Sequence, residues 1–427
     1  MAHRSLVGFL ALGLFLGAAC SAAPGQSGNS AGNGGNGQGG GNGAGDIGGD
    51  FTVGSGGNTA ANCVQTDGVD DDNDGYMDAE DCNECDPNVN PGAVEVFASP
   101  DANGNTPPPA DEDCDGVVDN VVANCDEGLA LGDTNPMSGA KAIELCQTAT
   151  AGDKKWGVLE AKYVRANGAQ SPAPDPLQWG IKSKFGQNVN PQSGKSMLVL
   201  SAGYARDASD PGACNDTSCQ SNLGGTAPPG FPQDVPNCDG GTDINDDVAL
   251  ELKIRAPTNA TGYKFNFKFY SFEFPEWICT SFNDQFIALV NPAPQGSING
   301  NISFDQNKNP VSVNIAFFDV CDPASSSEWA AYCFAGCPNL PSPYCPSGTS
   351  ELVGTGFKEW DLGTYAGGTS WLQTQAPVTG GDTITVRFAI WDTADQALDS
   401  TAVIDNFQWI ANGGTVNVET GEVPTPK

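Results

Sequence analysis

The sequence is short of basic charge and almost without histidine. Eighteen Lys and Arg face 52 Asp and Glu over 427 residues, a formal net charge of −34, and no Lys or Arg lies between Arg4 and Lys141. Phosphate contacts need Lys and Arg in quantity, so nucleic acid is excluded as a partner. The single histidine, His3, belongs to an N-terminal segment read below as an export signal. The rest of the chain therefore cannot run Ser-His-Asp or Cys-His chemistry, and it cannot hold a metal through imidazole. Hydrolysis of glycosides by two carboxylates about 5–9.5 Å apart survives this exclusion, with Glu273, Glu276 and Asp284 as candidates. The competing expectation, which we favour, is that these three hold neighbouring loops together, in one version around a calcium ion, and that the protein is not an enzyme.

What the chain does contain begins with a basic start, His3-Arg4, and an apolar run from Leu6 to Leu16. That run is too short to span a bilayer and reads as an export signal over residues 1–20. Gly17-Ala18-Ala19-Cys20 resembles a bacterial lipobox, with Gly17 where Leu is usual. The resemblance implies a lipid on Cys20 and a membrane anchor at the outer membrane or cell surface; ordinary cleavage near Ala19 or Ala23, giving a secreted protein, is the alternative. Setting Cys20 aside leaves fourteen of the fifteen cysteines, an even number suited to disulfides in an oxidising compartment. Residues 21–62 are dominated by Gly, Asn, Ser, Ala and Gln, with no apolar period. They are expected to be a disordered tether spanning roughly 35 Å root-mean-square.

An acidic module follows over residues 63–124. Asp70, Asp72, Asp74, Asp78 and Asp81 occupy positions 1, 3, 5, 9 and 12 of a loop whose position 6 is Gly75. This is the ligand spacing of an EF-hand-type Ca²⁺ site, with the Tyr76 carbonyl at position 7. Such an ion takes six to eight oxygens at about 2.3–2.6 Å, and Gly75 permits the sharp turn that aims them at one point. Asp111, Asp113, Asp115, Gly116, Val117 and Asp119 repeat positions 1, 3, 5, 6, 7 and 9, but position 12 is Val122. The second loop is expected to be weaker, or to be completed by Asp86, Asn88 or Asn90. The stretch has too few apolar residues for a core and depends on metal and cross-links for shape. Its Cys63, Cys82, Cys85 and Cys114 read as structural disulfides, since no second CxxC with zinc spacing follows. The wording DGVDDDNDGYMDAEDCNECDPNVNPGAVE, followed by DEDCDGVVD, resembles the Asp/Cys-rich metal-binding repeats of bacterial surface proteins of the MopE type. SPDANGNTPPPA interrupts the repeat pattern.

After Cys125 strand signals dominate, apart from a short helix expected within Ser138–Thr148. Val248, Leu250, Leu252 and Ile254 fall on one face with Glu251, Lys253 and Arg255 on the other; Tyr263, Phe265, Phe267 and Phe269 lie opposite Lys264, Asn266 and Lys268, and Ile384, Val386, Phe388 and Ile390 repeat the alternation. Val311–Phe318 reads as a further strand. About ten short strands with Gly/Pro/Asn loops make the fold class mainly β, an antiparallel β-sandwich of jelly-roll type with its aromatic stripes in the core. Cys214, Cys219, Cys238, Cys279, Cys321, Cys333, Cys337 and Cys345 cluster in Pro/Gly-rich insertions and are expected to pin them. Three segments carry a resemblance: Gly194–Gly203 (GKSMLVLSAG), Phe265–Leu289 (FNFKFYSFEFPEWICTSFNDQFIAL) and Asp392–Trp409 (DTADQALDSTAVIDNFQW). Together they resemble the choice-of-anchor L domain of bacterial surface proteins, over residues 125–412, with 413–427 as a flexible tail. Ser271, Glu273, Glu276, Asn283 and Asp284 fit the family's middle motif, with Phe274 and Trp277 where Tyr is usual. Asp399, Ser400, Asp405 and Asn406 fit its closing motif. The resemblance implies a cell-surface domain without known enzymatic activity. The function expected is a calcium-stiffened stalk presenting a β-sandwich head for adhesion or surface assembly, with a surface glycan or protein as ligand. The alternative is a carbohydrate-binding module or carboxylate-pair glycosidase.

Overall fold

The computed structural model describes residues 68–77, 79–100, 104–219, 222–315, 317–323, 345–360, 366–411 and 414–423, all within one compact unit. The export signal, Cys20, the tether, Cys63, Asp78, Cys333 and Cys337 lie outside the described residues.

Two antiparallel sheets build the head. The first contains β1 (Gly157–Val164), β4 (Ile244–Arg255), β10 (Thr383–Thr393) and β6 (Gln285–Asn291), in the order β1-β4-β10-β6. The second contains β12 (Glu419–Glu422), β9 (Leu372–Pro377), β5 (Ala260–Ser271), β11 (Ser400–Ala411), β3 (Met197–Ser201) and β2 (Trp179–Lys182), in that order. The short β7 (Phe318–Val320) and β8 (Gly367–Thr369) extend it beside β5. The alternation read from the sequence has a direct structural cause. Leu250, Leu252 and Ile254 of β4, with Phe388 of β10, face Phe265 and Phe267 of β5 and Ile404 of β11 in one shared core. Rings interlock across the sheets, Phe265 edge-on to Phe388 at 4.9 Å and Phe267 against Phe286 at 5.2 Å. Truncating one such ring to alanine would cost about 3–5 kcal/mol. All four aromatics of the Tyr263–Phe269 stripe are fully buried.

Three expectations need correction. The helix α1 spans only Pro136–Lys141, capped by Asn135, whose side chain accepts from the Met137 N–H. Val311–Ile315 is buried yet forms no ladder beyond a single bridge to Phe286, because a turn closes there: Ser312 accepts from Ile315 N–H and from Asn314 N–H. Residues 419–422, expected in a loose tail, pair as β12 with β9, and the Thr420 hydroxyl lies 2.7 Å from that of Thr374.

The acidic module rests on the head. Thr258 N–H donates to the Gly92 carbonyl, and its hydroxyl to Asn90 Oδ1 at 2.7 Å. Asn259 exchanges two hydrogen bonds with the Val94 backbone, at 3.0 and 2.8 Å. Tyr76 and Ala93 are buried at this junction.

Candidate metal centres and the family motifs

The two acidic loops have the same local conformation. In the first, Asp70 accepts from the N–H groups of Asp74 and Gly75, Asp72 from Asp74, and Asp74 from Tyr76, at 3.1, 3.0, 3.2 and 2.8 Å. In the second, Asp111 accepts from Asp115 and Gly116, Asp113 from Asp115, and Asp115 from Val117, at 3.1, 2.9, 3.2 and 2.8 Å. Position 4 is left-handed in both (Asn73 φ 64°, Cys114 φ 54°), as is the glycine at position 6 (Gly75 φ 94°, Gly116 φ 90°). Glycine meets that last requirement at little steric cost. The Cys82–Cys114 disulfide ties the end of one loop to the middle of the other, and Cys85 is also disulfide-bonded. This uses up the thiols of the CxxC and leaves carboxylate oxygens as the metal donors.

Asp70, Asp72 and Asp74 bring one oxygen each to within 4.8 Å of the others. Asp72 Oδ2, Asp74 Oδ2 and Asp81 Oδ2 are buried atoms that receive no hydrogen bond. Partial burial, with the charges of Asp74, Asp70 and Glu84 added, pushes Asp72 up to about 6. Burial and its acidic neighbours do the same to Asp81, also to about 6, and burial raises Asp74 against the pull of the Tyr76 N–H. Oxygens of this kind fit a hard cation, which supplies both the missing partner and the missing charge. Asp78, at position 9, lies outside the described residues. One basic group, hidden from sequence reasoning, reaches the loop from the head. Lys154 donates to the Gly75 carbonyl at 2.5 Å, pairs with Glu80 at 3.5 Å and lies over the Tyr76 ring.

Glu95 is the acid from outside the second loop whose carboxylate stands beside those of the loop. One oxygen each from Glu95, Asp111 and Asp113 lie within 4.8 Å of one another, and the same holds for Glu95, Glu112 and Asp119. Burial, then contact with Glu112, pushes Glu95 up to about 7. Asn90 instead stands beside Asp74 of the first loop. Asp86 accepts from its own neighbour Asn88. Val117 has an exposed side chain, so position 7 offers only its backbone.

The head's motif residues gather in two places. Ser271 pairs with Ser400 across β5 and β11, and Ser271 Oγ accepts from Glu273 N–H at 3.0 Å. Glu273 accepts from Asp284 N–H at 3.2 Å; Asp284 in turn accepts from Thr393 N–H and the Ser400 hydroxyl, both at 2.8 Å. The Asn283 carbonyl accepts from Thr393 Oγ1 and its side chain from Asn314. Asp399 accepts from Cys219 N–H at 2.6 Å and presses on Gly203, where any β-carbon would collide with the carboxylate. Glu273, Asp284 and Asp399 are all buried, so these three carboxylates present no open pair to a sugar. Glu276 is half-buried, next to the exposed Trp277.

Asp405 and Asn406 lie elsewhere. Asp405 accepts from Gln192 N–H at 2.5 Å and from Ser193 N–H, while Asn406 N–H donates to Glu144 at 3.1 Å. Burial and the charges of Asp405 and Asp126 push Glu144 up to about 9. Asp126 accepts from the N–H groups of Lys195 and Ser196. Gly194 (φ 58°) allows this crowding, since a β-carbon there would meet Glu144 and, at 2.6 Å, Asp126 Oδ2. The first family motif thus carries a glycine at each end where a carboxylate touches backbone. Asp246 and Asp392, which join Asp284 and Asp399, and Asp126 and Glu144, which join Asp405, escaped the sequence reading. Their signal would have been the buried acidic positions inside otherwise apolar strands and turns.

No curated protein and no solved structure gives a significant match to this chain. The family model of the choice-of-anchor L domain matches residues 166–407, which takes in all three motif segments but for Gln408 and Trp409. Covering more than half of the 427 residues, that match makes the protein a member of the choice-of-anchor L domain family and points to an exported, cell-surface protein.

Proposed function

We propose that the protein is a non-enzymatic cell-surface lipoprotein whose MopE-like acidic module binds Ca²⁺ at both Asp loops and so stiffens the base of the β-sandwich head. The observation that carries this reading is the identical turn of the two loops, with carboxylate oxygens that receive no hydrogen bond at Asp72, Asp74 and Asp81 of the first and Asp119 of the second. A module with few apolar side chains gains its shape from the ion and from Cys82–Cys114. Docking through Thr258 and Asn259 passes that stiffness to the head. A lipid on Cys20 and the Gly-rich tether would hold this unit at the outer membrane, free to meet a surface protein or glycan. The burial of Glu273 and Asp284 weighs against the glycosidase alternative.

Limited proteolysis of the full chain tests the proposal. With calcium, residues 68–124 should resist cleavage, and a chelator should open them while the head stays intact. Equal cleavage rates in the two conditions would sink the calcium role. Replacing Cys20 by serine should abolish labelling with radioactive palmitate; persistence of the label would remove the anchor.

A further inference from the structure

A second acidic centre lies inside the head, between the two sheets. Asp246 and Asp392 come from β4 and β10 of the first sheet, and Asp284 immediately precedes β6. Asp399 immediately precedes β11 of the second sheet. Pairing places Asp392 opposite Asn245, at a bulge in β10, so Asp246 and Asp392 fall at the same end of their strands. Asp284 accepts from Thr393 and Ser400, the residues after Asp392 and Asp399, so all four meet at one end of the sandwich.

All four are buried, at 0% exposure for Asp246 and Asp392, 1% for Asp284 and 4% for Asp399, and among the described residues no ion pair involves Asp284, Asp392 or Asp399. The contrast with their neighbour Asp247 is plain, since it is matched by Arg165. Asp392 is the telling residue. Neither of its oxygens receives a hydrogen bond, and the group facing it is another carboxylate, that of Asp284. Charge buried without a compensating partner opposes folding strongly. One shared proton could satisfy a single pair, which suffices for Glu144 and Asp405, whose oxygens already accept backbone N–H groups. It cannot satisfy four mutually repelling carboxylates around a residue with no donor at all.

We propose that Asp246, Asp284, Asp392 and Asp399 hold a calcium ion that clips the two sheets together, separate from the loops at 70–81 and 111–119. The donors are carboxylate and hydroxyl oxygens without imidazole or free thiol, which selects a hard cation. Four carboxylates from both sheets match the ligand charge of a typical Ca²⁺ site. Their oxygens are spaced more widely than those of the Asp70, Asp72 and Asp74 set, so the ion draws them inward by side-chain rotation. The Ser400 hydroxyl, held by Asp284, is positioned to add an oxygen.

The test starts from the full chain with both loops neutralised by Asp72→Asn, Asp74→Asn, Asp113→Asn and Asp115→Asn. After gel filtration in calcium buffer, elemental analysis should find one calcium per chain, and adding Asp392→Asn should reduce this to none. Terbium provides a readout that needs no further change at the acids. Tryptophan-excited emission should appear in the loop-neutralised chain, be displaced by calcium, and fall on Trp391→Phe, since Trp391 adjoins Asp392. No calcium and no sensitised emission in a loop-neutralised chain with native circular dichroism would overturn the proposal, as would calcium retained after Asp392→Asn. Failure of the loop reading shows separately, as an unchanged calcium count when the loops are neutralised.

Discussion

Replacing Gly92 by valine should undock the acidic module from the head by forcing apart Tyr76 and Thr258, which pack against it. A β-carbon at Gly92 would lie 2.5 Å from Tyr76 Oη and 2.9 Å from Thr258 Cγ2. Forcing carbon atoms into a packed contact costs about 1–3 kcal/mol. Four hydrogen bonds tie the module to Thr258 and Asn259: Thr258 N–H to Gly92, the Thr258 hydroxyl to Asn90, and two between Asn259 and Val94. At about 0.5–1.5 kcal/mol net each, they contribute about 2–6 kcal/mol, the same order as the strain. The consequence is read through a double-mutant cycle with Asp72→Ala. Losing a loop ion held at a calcium concentration about 100-fold above Kd removes about 2.7 kcal/mol of stabilisation. In the docked parent that loss should lower the melting temperature of the head by roughly 3–5 °C, given the size of the chain. In the Gly92→Val background the head should not respond to Asp72→Ala, because the module no longer bears on it. Scanning calorimetry of the four proteins in calcium measures the coupling. An equal effect of Asp72→Ala in both backgrounds would refute the claim that the junction transmits stability.

Three further outcomes follow from named contacts. Replacing Cys82 and Cys114 together by alanine opens a loop of 32 residues and should cost the module about 2–4 kcal/mol; unchanged protease resistance of residues 68–124 in calcium would contradict this. Lys154→Ala should leave global stability within about 1 kcal/mol, since the Glu80 pair is solvent-exposed, while tightening calcium binding at the first loop by about two- to fivefold through loss of a competing charge; weaker binding by calorimetry would be the wrong sign. Glu144 titrates higher in the folded chain, at about 9 against 4.5, because burial and then Asp405 and Asp126 oppose its charge. The folded state therefore holds the proton longer than the unfolded state, and stability falls as pH rises from about 5 towards 9. Glu144→Gln, which has no proton to lose, should gain on the parent in melting temperature over that window and match it most closely near pH 5. A gap that narrows with rising pH would reverse the assignment.

The sheets were legible wherever one face of a strand meets the core and the other meets polar surroundings. Val248 to Ile254 and Ile384 to Ile390 alternate because their partners across the sandwich are the rings of β5 and Ile404 of β11. Val311 to Ile315 carries the same pattern without the ladder, since Ser312 and Asn314 spend their polar groups on a turn and on Cys279 and Asn283. Periodicity reports burial, and there burial came without strand pairing. The loops could be read because their geometry is set by neighbours two to five residues apart. Glu95, Lys154 and the Thr258–Asn259 junction depend on contacts between distant parts of the chain, so no local pattern announces them. The buried acids were half legible. Asp284 and Asp399 sit in family motifs, whereas Asp246 and Asp392 gain their meaning only when β4 and β10 place them side by side.

The most direct test of the account is calorimetric titration of Ca²⁺ into the chelator-stripped, oxidised full chain, with Mg²⁺ as control. Saturable calcium binding is predicted, with one site lost on Asp72→Ala with Asp74→Ala and one more on Asp113→Ala with Asp115→Ala. Absence of calcium heat, or a stoichiometry indifferent to both pairs of substitutions, would contradict the claim that these loops are the metal centres that shape the base of the protein.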